Sequence, residues 1–195
     1  LVRDAGIEDL VTVGEMSSTS LEHCIRYSAP KEKELSMCFN FHHLKADYKD
    51  GDKWALAATD YKKLKELFIQ WQTGMQKGDG WNALFWCNHD QPRIVSRMGN
   101  EKAYWKESAK MLAGMIHFMR GTPYIYQGEE IGMINAHYRS IEQYRDVESL
   151  NYYEILLEEG KTKEEALEIL SARSRDNSRT PMQWDGGRYG GFSQT

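Results

Sequence analysis

The chain has little of what staples, kinks or anchors a fold. Its 195 residues hold three cysteines, Cys24, Cys38 and Cys87, and four prolines. An odd number of thiols, at spacings that match no metal-ligand or redox pattern, argues against a disulfide-built or zinc-built fold. The three read instead as reduced core thiols, which suits the cytoplasm. No apolar run reaches the ~18 residues of a membrane-spanning helix. The opening Leu1-Val2-Arg3-Asp4 lacks the charged leader and apolar centre of a secretion signal. It also lacks an initiator methionine, so the chain reads as a piece of something longer. Basic residues are outnumbered, 25 Lys and Arg against 29 Asp and Glu for a net charge of −4, and they are scattered. That argues against a nucleic-acid partner. What remains is a globular chain of about one domain, 41% hydrophobic and able to bury a sizeable core. It contains no internal repeat and no low-complexity segment.

Four short β-favouring stretches recur, at 10–14, 35–41, 81–87 and 123–127. Helical patterns lie between them. The clearest, over 60–76, places Tyr61, Leu64, Leu67, Phe68, Trp71 and Met75 at intervals of three or four, one apolar stripe on a helix. Another is expected over 17–28. A further one, over 101–120, carries Tyr104, Met111, Met115 and Met119 and is ended by Gly121-Thr122-Pro123. Beyond 128 a polar segment leads to two more helices; Gly160 ends the first, and Thr162 with Glu165 forms a capping box for the second. Strand alternating with helix predicts parallel strands with helical crossovers, an α/β fold. Periodicity does not choose between a barrel and an open sheet.

The run Asn88-His89-Asp90-Gln91-Pro92-Arg93 carries the most chemistry. It closes a strand-like stretch with an imidazole, a carboxylate and a guanidinium, a set able to grip sugar hydroxyls and stabilise positive charge developing on a sugar ring. Around it stand VGEM at 13–16, GTPYIYQGEEIGM at 121–133 and RDNSRTPMQW at 175–184. Together and in this order the four motifs resemble the α-amylase family of glycoside hydrolases. Within it the likeness is to the oligo-1,6-glucosidase group, most of all to its trehalose-6-phosphate hydrolases. The resemblance implies a (β/α)8 TIM barrel and matches the four stretches to strands five to eight. Residues 1–195 would then be the carboxyl-terminal half of the catalytic barrel, with 128–195 as loop and helices over its mouth. It also implies a retaining hydrolase that cuts trehalose 6-phosphate into glucose and glucose 6-phosphate; no cofactor and no metal are expected on this chain.

The same resemblance assigns roles. Glycoside hydrolysis needs paired carboxyl groups, and Glu15, directly after an apolar stretch, is implied to be the general acid/base. From spacing alone it could equally cap the helix over 17–28. Asp90 is implied to hold two glucose hydroxyls and stabilise the oxocarbenium-like transition state, and His89 to donate to the same ring. Arg93 is expected to form a bidentate pair with a catalytic carboxylate. Arg175 matches an arginine that contacts the first glucose. Glu129 or Glu130 is expected to reach the leaving-group sugar, or else to sit at a helix start. Tyr126, Trp81 and Trp86 read as core. The family's nucleophile, an aspartate in an Arg-x-Asp motif, does not occur among the 14 residues before Glu15. The chain by itself is therefore expected to be inactive.

Specificity is expected to rest on the loop over 42–54, where His42, His43, Lys45 and Lys53 offer positive charge for a phosphate. Each charge-assisted hydrogen bond is worth roughly 1.5–3 kcal/mol. Two would favour a phosphorylated substrate by ~10²–10⁴. The alternative is a solvated basic loop. A metal site from His42 and His43 is set aside, because adjacent strand residues point to opposite faces. The second enzymatic reading is an oligo-1,6-glucosidase or sucrose-isomerising relative, and the third a non-catalytic accessory protein of the same fold. The expected partner is a disaccharide phosphate, with no nucleic acid and no membrane. The complete polypeptide is expected to be a monomer, whereas four strands with two open edges should be marginal or self-associate.

Overall fold

The computed structural model describes Gly6 and residues 9–194. The opening tetrapeptide that was read for a secretion signal lies outside the described residues. In chain order the first elements are β1 (Val13–Met16), α1 (Leu21–Ser28), β2 (Met37–Asn40), β3 (Tyr48–Lys49), β4 (Asp52–Leu56) and α2 (Tyr61–Lys77). Then follow β5 (Asn82–Phe85), α3 (Ile94–Met98), α4 (Trp105–His117), β6 (Thr122–Tyr124), α5 (Val147–Glu158) and α6 (Lys163–Arg173). The chain divides into two compact units, one of 1–46, 60–84 and 118–124, the other of 47–59, 85–117 and 125–195.

The first unit is built on a sheet of order β1-β2-β5-β6. β1 runs parallel to β2, with Val13 opposite Met37 and Met16 opposite Asn40, and β2 runs parallel to β5. Parallel neighbours need long crossovers, which α1 and α2 supply. Ser20 starts α1 by accepting from the His23 N–H, and Asp60 starts α2 by accepting from Lys63. The stripe on α2 delivers Leu64, Trp71 and Met75 to the interior. Trp71 and Met75 join Cys24 and Cys38 in an apolar cluster flanked by Leu21, Ile25 and Leu35. α1 lies close on α2 because position 74 is glycine; a Cβ there would stand 2.4 Å from Leu21 Cδ2. All four residues of β5 are buried, as expected of a strand covered on both faces.

The second unit packs α5 and α6 with β4 around Trp54, Tyr144, Tyr153, Leu156, Ala166, Ile169 and Leu170. Trp54 stacks on Tyr152 with ring centres 4.4 Å apart. The Thr162–Glu165 capping box forms in both directions, at 3.2 and 2.8 Å. This unit also buries charge. Asp47 takes two bonds from Arg97, at 2.7 and 2.8 Å, and a further one from Arg173, whose Nη2 donates to the Asp47 carbonyl at 2.7 Å. Burial alone would raise the Asp47 pKa, but the two guanidiniums outweigh it and hold the carboxyl below its usual value.

Three local expectations shift. The first strand runs to Met16, so Glu15 lies inside it rather than after it. The segment over 42–54 is not one loop: a 3-10 turn, His42–Lys45, precedes an antiparallel β3–β4 hairpin. Its turn residues Asp50 and Gly51 have φ of 53° and 85°, the left-handed pair a tight hairpin needs. The helical pattern over 101–120 condenses to Trp105–His117, preceded by α3, whose five residues are too few for periodicity to reveal. All three cysteines are free and buried. Among the described residues no helix is long and apolar enough to cross a membrane.

Candidate active site

In the first unit, β1 sets the direction of Glu15. Gly14 is buried against Leu35 and Cys38, so strand alternation turns Val13 and Glu15 to the other face, and both are exposed. Glu15 pairs in register with Phe39. Nothing among the described residues bonds to its carboxyl. The capping alternative is removed, since Ser20 caps α1. Of the basic candidates in this unit, His43 is buried with its ring 5.6 Å from that of Phe68. His42 lies 5.0 Å from the ring of Trp71. Burial, with Lys45 nearby, pushes its pKa down. Lys45 itself is half-buried. Trp81, expected in the core, is 36% exposed and bonds Thr122 through its indole N–H at 2.9 Å.

In the second unit, β5 leads into the segment 86–93. Trp86 is fully buried and donates to the Leu112 carbonyl at 2.8 Å. Cys87 Sγ accepts from the Ile94 N–H at 3.2 Å. Asn88 folds the turn by accepting from the Asp90 N–H at 2.8 Å. The loop lifts His89 to 64% side-chain exposure and leaves Asp90 about one-third exposed. Asp90 Oδ1 receives Arg179 Nη2 at 2.7 Å, and Arg175 Nη1 stands 3.6 Å from the same oxygen. His89 Nε2 lies 3.6 Å from Oδ2. Arg179 also ties down the loop backbone, donating from Nε to the His89 carbonyl at 2.9 Å, while its Nη1 meets Asp146 at 2.5 Å.

The pairing extends as a chain of alternating charge. Arg175 Nε stands 2.8 Å from Glu148 Oε2, and the Lys53 ammonium donates to that oxygen at 2.7 Å. The structure thus brings Asp90, His89, Arg175 and Lys53 into one network. Three of its members, Arg179, Asp146 and Glu148, were not singled out from the sequence. Arg179 had a signal, since it shares the RDNSRTPMQW run with Arg175. The two acids had none, because they sit at and near an α5 start where Asp and Glu are ordinary.

Arg93 corrects an expectation. Among the described residues it pairs with neither Glu15 nor Asp90: its side chain is buried, donates to the Gln127 carbonyl at 2.7 Å and lies over the Tyr126 ring at 5.1 Å. Its backbone N–H is held by Asn135 at 2.9 Å. Arg179 takes the role at Asp90. Glu130 is exposed, whereas Glu129 turns inward, accepting from the Tyr126 N–H at 3.3 Å. Chemically, the Asp90 network gives one carboxylate fixed by guanidiniums, with an exposed imidazole beside it, suited to holding vicinal hydroxyls.

Comparison with known proteins adds a lineage to this geometry. Residues 2–195 match the family model of the alpha amylase catalytic domain. The chain is 62% identical over 95% of its length to trehalose-6-phosphate hydrolase of Bacillus subtilis, and 50% identical over 95% to an oligo-1,6-glucosidase of Halalkalibacterium halodurans. It covers 33% of each of these relatives, so it spans about a third of their length. The crystal structure of Bacillus licheniformis trehalose-6-phosphate hydrolase superposes with a TM-score of 0.93 at 62% identity, covering 97% of this chain and 34% of that one. Parallel strands with helical crossovers, an Asp90 clamped after β5 and Glu15 on β1 are features of a partial (β/α)8 barrel, and the chain belongs to the α-amylase family.

Proposed function

We propose that the chain carries the acid/base and the charge-stabilising carboxylate of a retaining α-glycoside hydrolase acting on trehalose 6-phosphate. The observation that carries this reading is the clamp on Asp90 by Arg179 and Arg175, in a chain 62% identical to a trehalose-6-phosphate hydrolase. In this reading Glu15 protonates the departing glycosidic oxygen while a second carboxylate attacks the anomeric carbon. Glu15 then takes a proton from the water that releases glucose, with glucose 6-phosphate as the first-released product. Asp90 and His89 hold the ring hydroxyls. Asp90 balances the positive charge that develops as the glycosidic bond breaks. The attacking carboxylate is not assigned to any residue of this chain, which by itself is proposed not to turn over.

The phosphate is assigned to Lys53 of the second unit; Lys45 and His42 are the candidates of the first unit, each taken by itself. His43 is the weakest of the four candidates, because its ring is packed against Phe68. Lys53 is supported by its place in the Asp90 network, where Glu148 bonds its ammonium. The test is hydrolysis by the full-length polypeptide of trehalose 6-phosphate, trehalose and isomaltose side by side. Selective cleavage of the phosphorylated sugar is expected. Comparable rates on isomaltose would move the assignment to an oligo-1,6-glucosidase, the reading supported by the relative at 50% identity.

A further inference from the structure

Asp176 is a buried carboxyl that the hydrolysis scheme does not use. It lies in the 3-10 turn Arg175–Ser178, which Arg179 closes. Its oxygens are met by donors from the segment that opens α5 and from Ser174. Oδ1 accepts from the Arg145 N–H at 2.9 Å, and the Asp146 N–H divides between Oδ1 at 3.1 Å and Oδ2 at 3.3 Å. Oδ2 also accepts from the Ser174 hydroxyl at 2.9 Å. Asp146 is the cap of α5, so the carboxylate sits at the positive end of that helix. Ser174 Oγ in turn accepts from the Asp176 N–H at 3.0 Å and lies 2.7 Å from the Ser149 hydroxyl of α5. Because the single Ser174 proton goes to Asp176, Ser149 is the donor of that last bond. α5, Ser174 and Asp176 therefore form one directed chain.

The two segments joined in this way carry the groups around Asp90. The turn bears Arg175 and Arg179, and the start of α5 bears Asp146 and Glu148. Asp146 Oδ1 accepts from the Glu148 N–H at 2.9 Å while its Oδ2 meets Arg179. The backbone that Asp176 holds is thus the one whose side chain orients Arg179. We infer that Asp176 is a positioning residue for Asp90: without touching the sugar, it pins the turn that carries Arg175 and Arg179 to the start of α5, and so sets both guanidiniums at the Asp90 carboxylate. This rests on the proposed reading of Asp90. A guanidinium on a long stem is placed only as well as its backbone, and both arginines lie within three residues of Asp176, so a shift of the turn moves both at once. Hydrogen bonds to an ionised acceptor are stronger than neutral ones, and burial keeps water from competing for them. Asparagine at this position would keep the geometry without the charge: its Oδ1 still accepts from Arg145 and Asp146, and its amide donates to Ser174 Oγ once that hydroxyl turns to Ser149.

The test uses the full-length polypeptide and two readouts. In the first, crystal structures of Asp176→Ala and Asp176→Asn are compared with that of the parent. Arg179 drawn beyond hydrogen-bond reach of Asp90 in the alanine variant, and back on it in the asparagine variant, is expected. A guanidinium that stays on Asp90 in Asp176→Ala would overturn the inference whether or not the protein hydrolyses any sugar. In the second, kcat and KM for p-nitrophenyl α-glucoside are measured beside the melting temperature. Asp176→Ala should lower kcat roughly ten- to a hundredfold, as a small misplacement near the reacting centre does, and Asp176→Asn should restore most of it. Asp176→Ala on top of Arg179→Ala should cost much less than it does alone, since both act on one contact. A lowered melting temperature with kcat unchanged, equal losses in the alanine and asparagine variants, or full additivity with Arg179→Ala would sink the proposal. Should Asp176→Ala fail to fold, Ser174→Ala, which takes away one donor and leaves the carboxylate, must lower kcat severalfold and move Arg179 away from Asp90; an unchanged rate with Arg179 in place would also overturn it.

Discussion

The two carboxylates to which the proposed chemistry is assigned live in opposite surroundings. Glu15 stands on a short strand of the first unit, exposed and without a bonded partner among the described residues. Asp90 sits on a loop of the second unit, with one guanidinium at 2.7 Å, another at 3.6 Å and an imidazole beside it. A group that gives and takes a proton has to be free to change charge. A group that balances charge in the transition state has to stay still, and the arginines hold it in place. The same contrast divides the interiors, since the first unit closes over sulfur and aromatic side chains and the second buries Asp47 between two arginines.

The largest expected effect breaks that comparison directly. In the full-length polypeptide Glu15→Gln should cost ~10²–10⁴ in kcat on trehalose 6-phosphate, and much less on an aryl α-glucoside whose leaving group needs no proton. Asp90→Asn should cost similar amounts on both substrates. Equal losses for Glu15→Gln on the two substrates would show that it is not the proton donor. Next in size is the buried triad. Asp47→Asn leaves Arg97 and Arg173 buried with no counter-charge and should destabilise by about 3–5 kcal/mol in denaturant unfolding. Because the Asp47 pKa is lowered on folding, its contribution is complete above its unfolded value near 3.8 and is lost as pH falls below that. The variant should accordingly lose the acid limb of stability below about pH 4.

Smaller effects sharpen the contrast. Arg179→Lys keeps the charge but not the fork that joins Asp90, His89 and Asp146. One lost charge-assisted bond is worth roughly 1.5–3 kcal/mol, so kcat should fall about ten- to a hundredfold with stability little changed. An unchanged rate would mean that Arg175 alone suffices. At the bottom of the scale, Ser20→Ala in the first unit and Gly51→Ala in the second should each cost about 1 kcal/mol, by loss of a cap and by forcing a side chain onto a left-handed φ. Thermal melts read both. A near-zero effect for Ser20→Ala would show that its bond to the His23 N–H contributes nothing to α1.

Short-range chemistry made much of the molecule legible. The α2 stripe, the Thr162–Glu165 box and the alternation of strand with helix are local patterns, governed by side chains a few residues apart, and each appears where the sequence predicts it. The four motifs also named the family. The β3–β4 hairpin was readable in Asp50-Gly51 but was hidden by a first strand of only two residues. The partners of Asp90 were not readable. Arg179 is 89 residues away along the chain and Arg93 only three, yet the distant arginine makes the bond while the near one turns inward to Gln127. Sequence by itself determined which residue types are available and which local elements they form, because helix and strand periods are properties of neighbours. Only the tertiary structure decided which guanidinium meets which carboxylate, because such pairing is a matter of a few ångströms between segments that sequence separation does not encode.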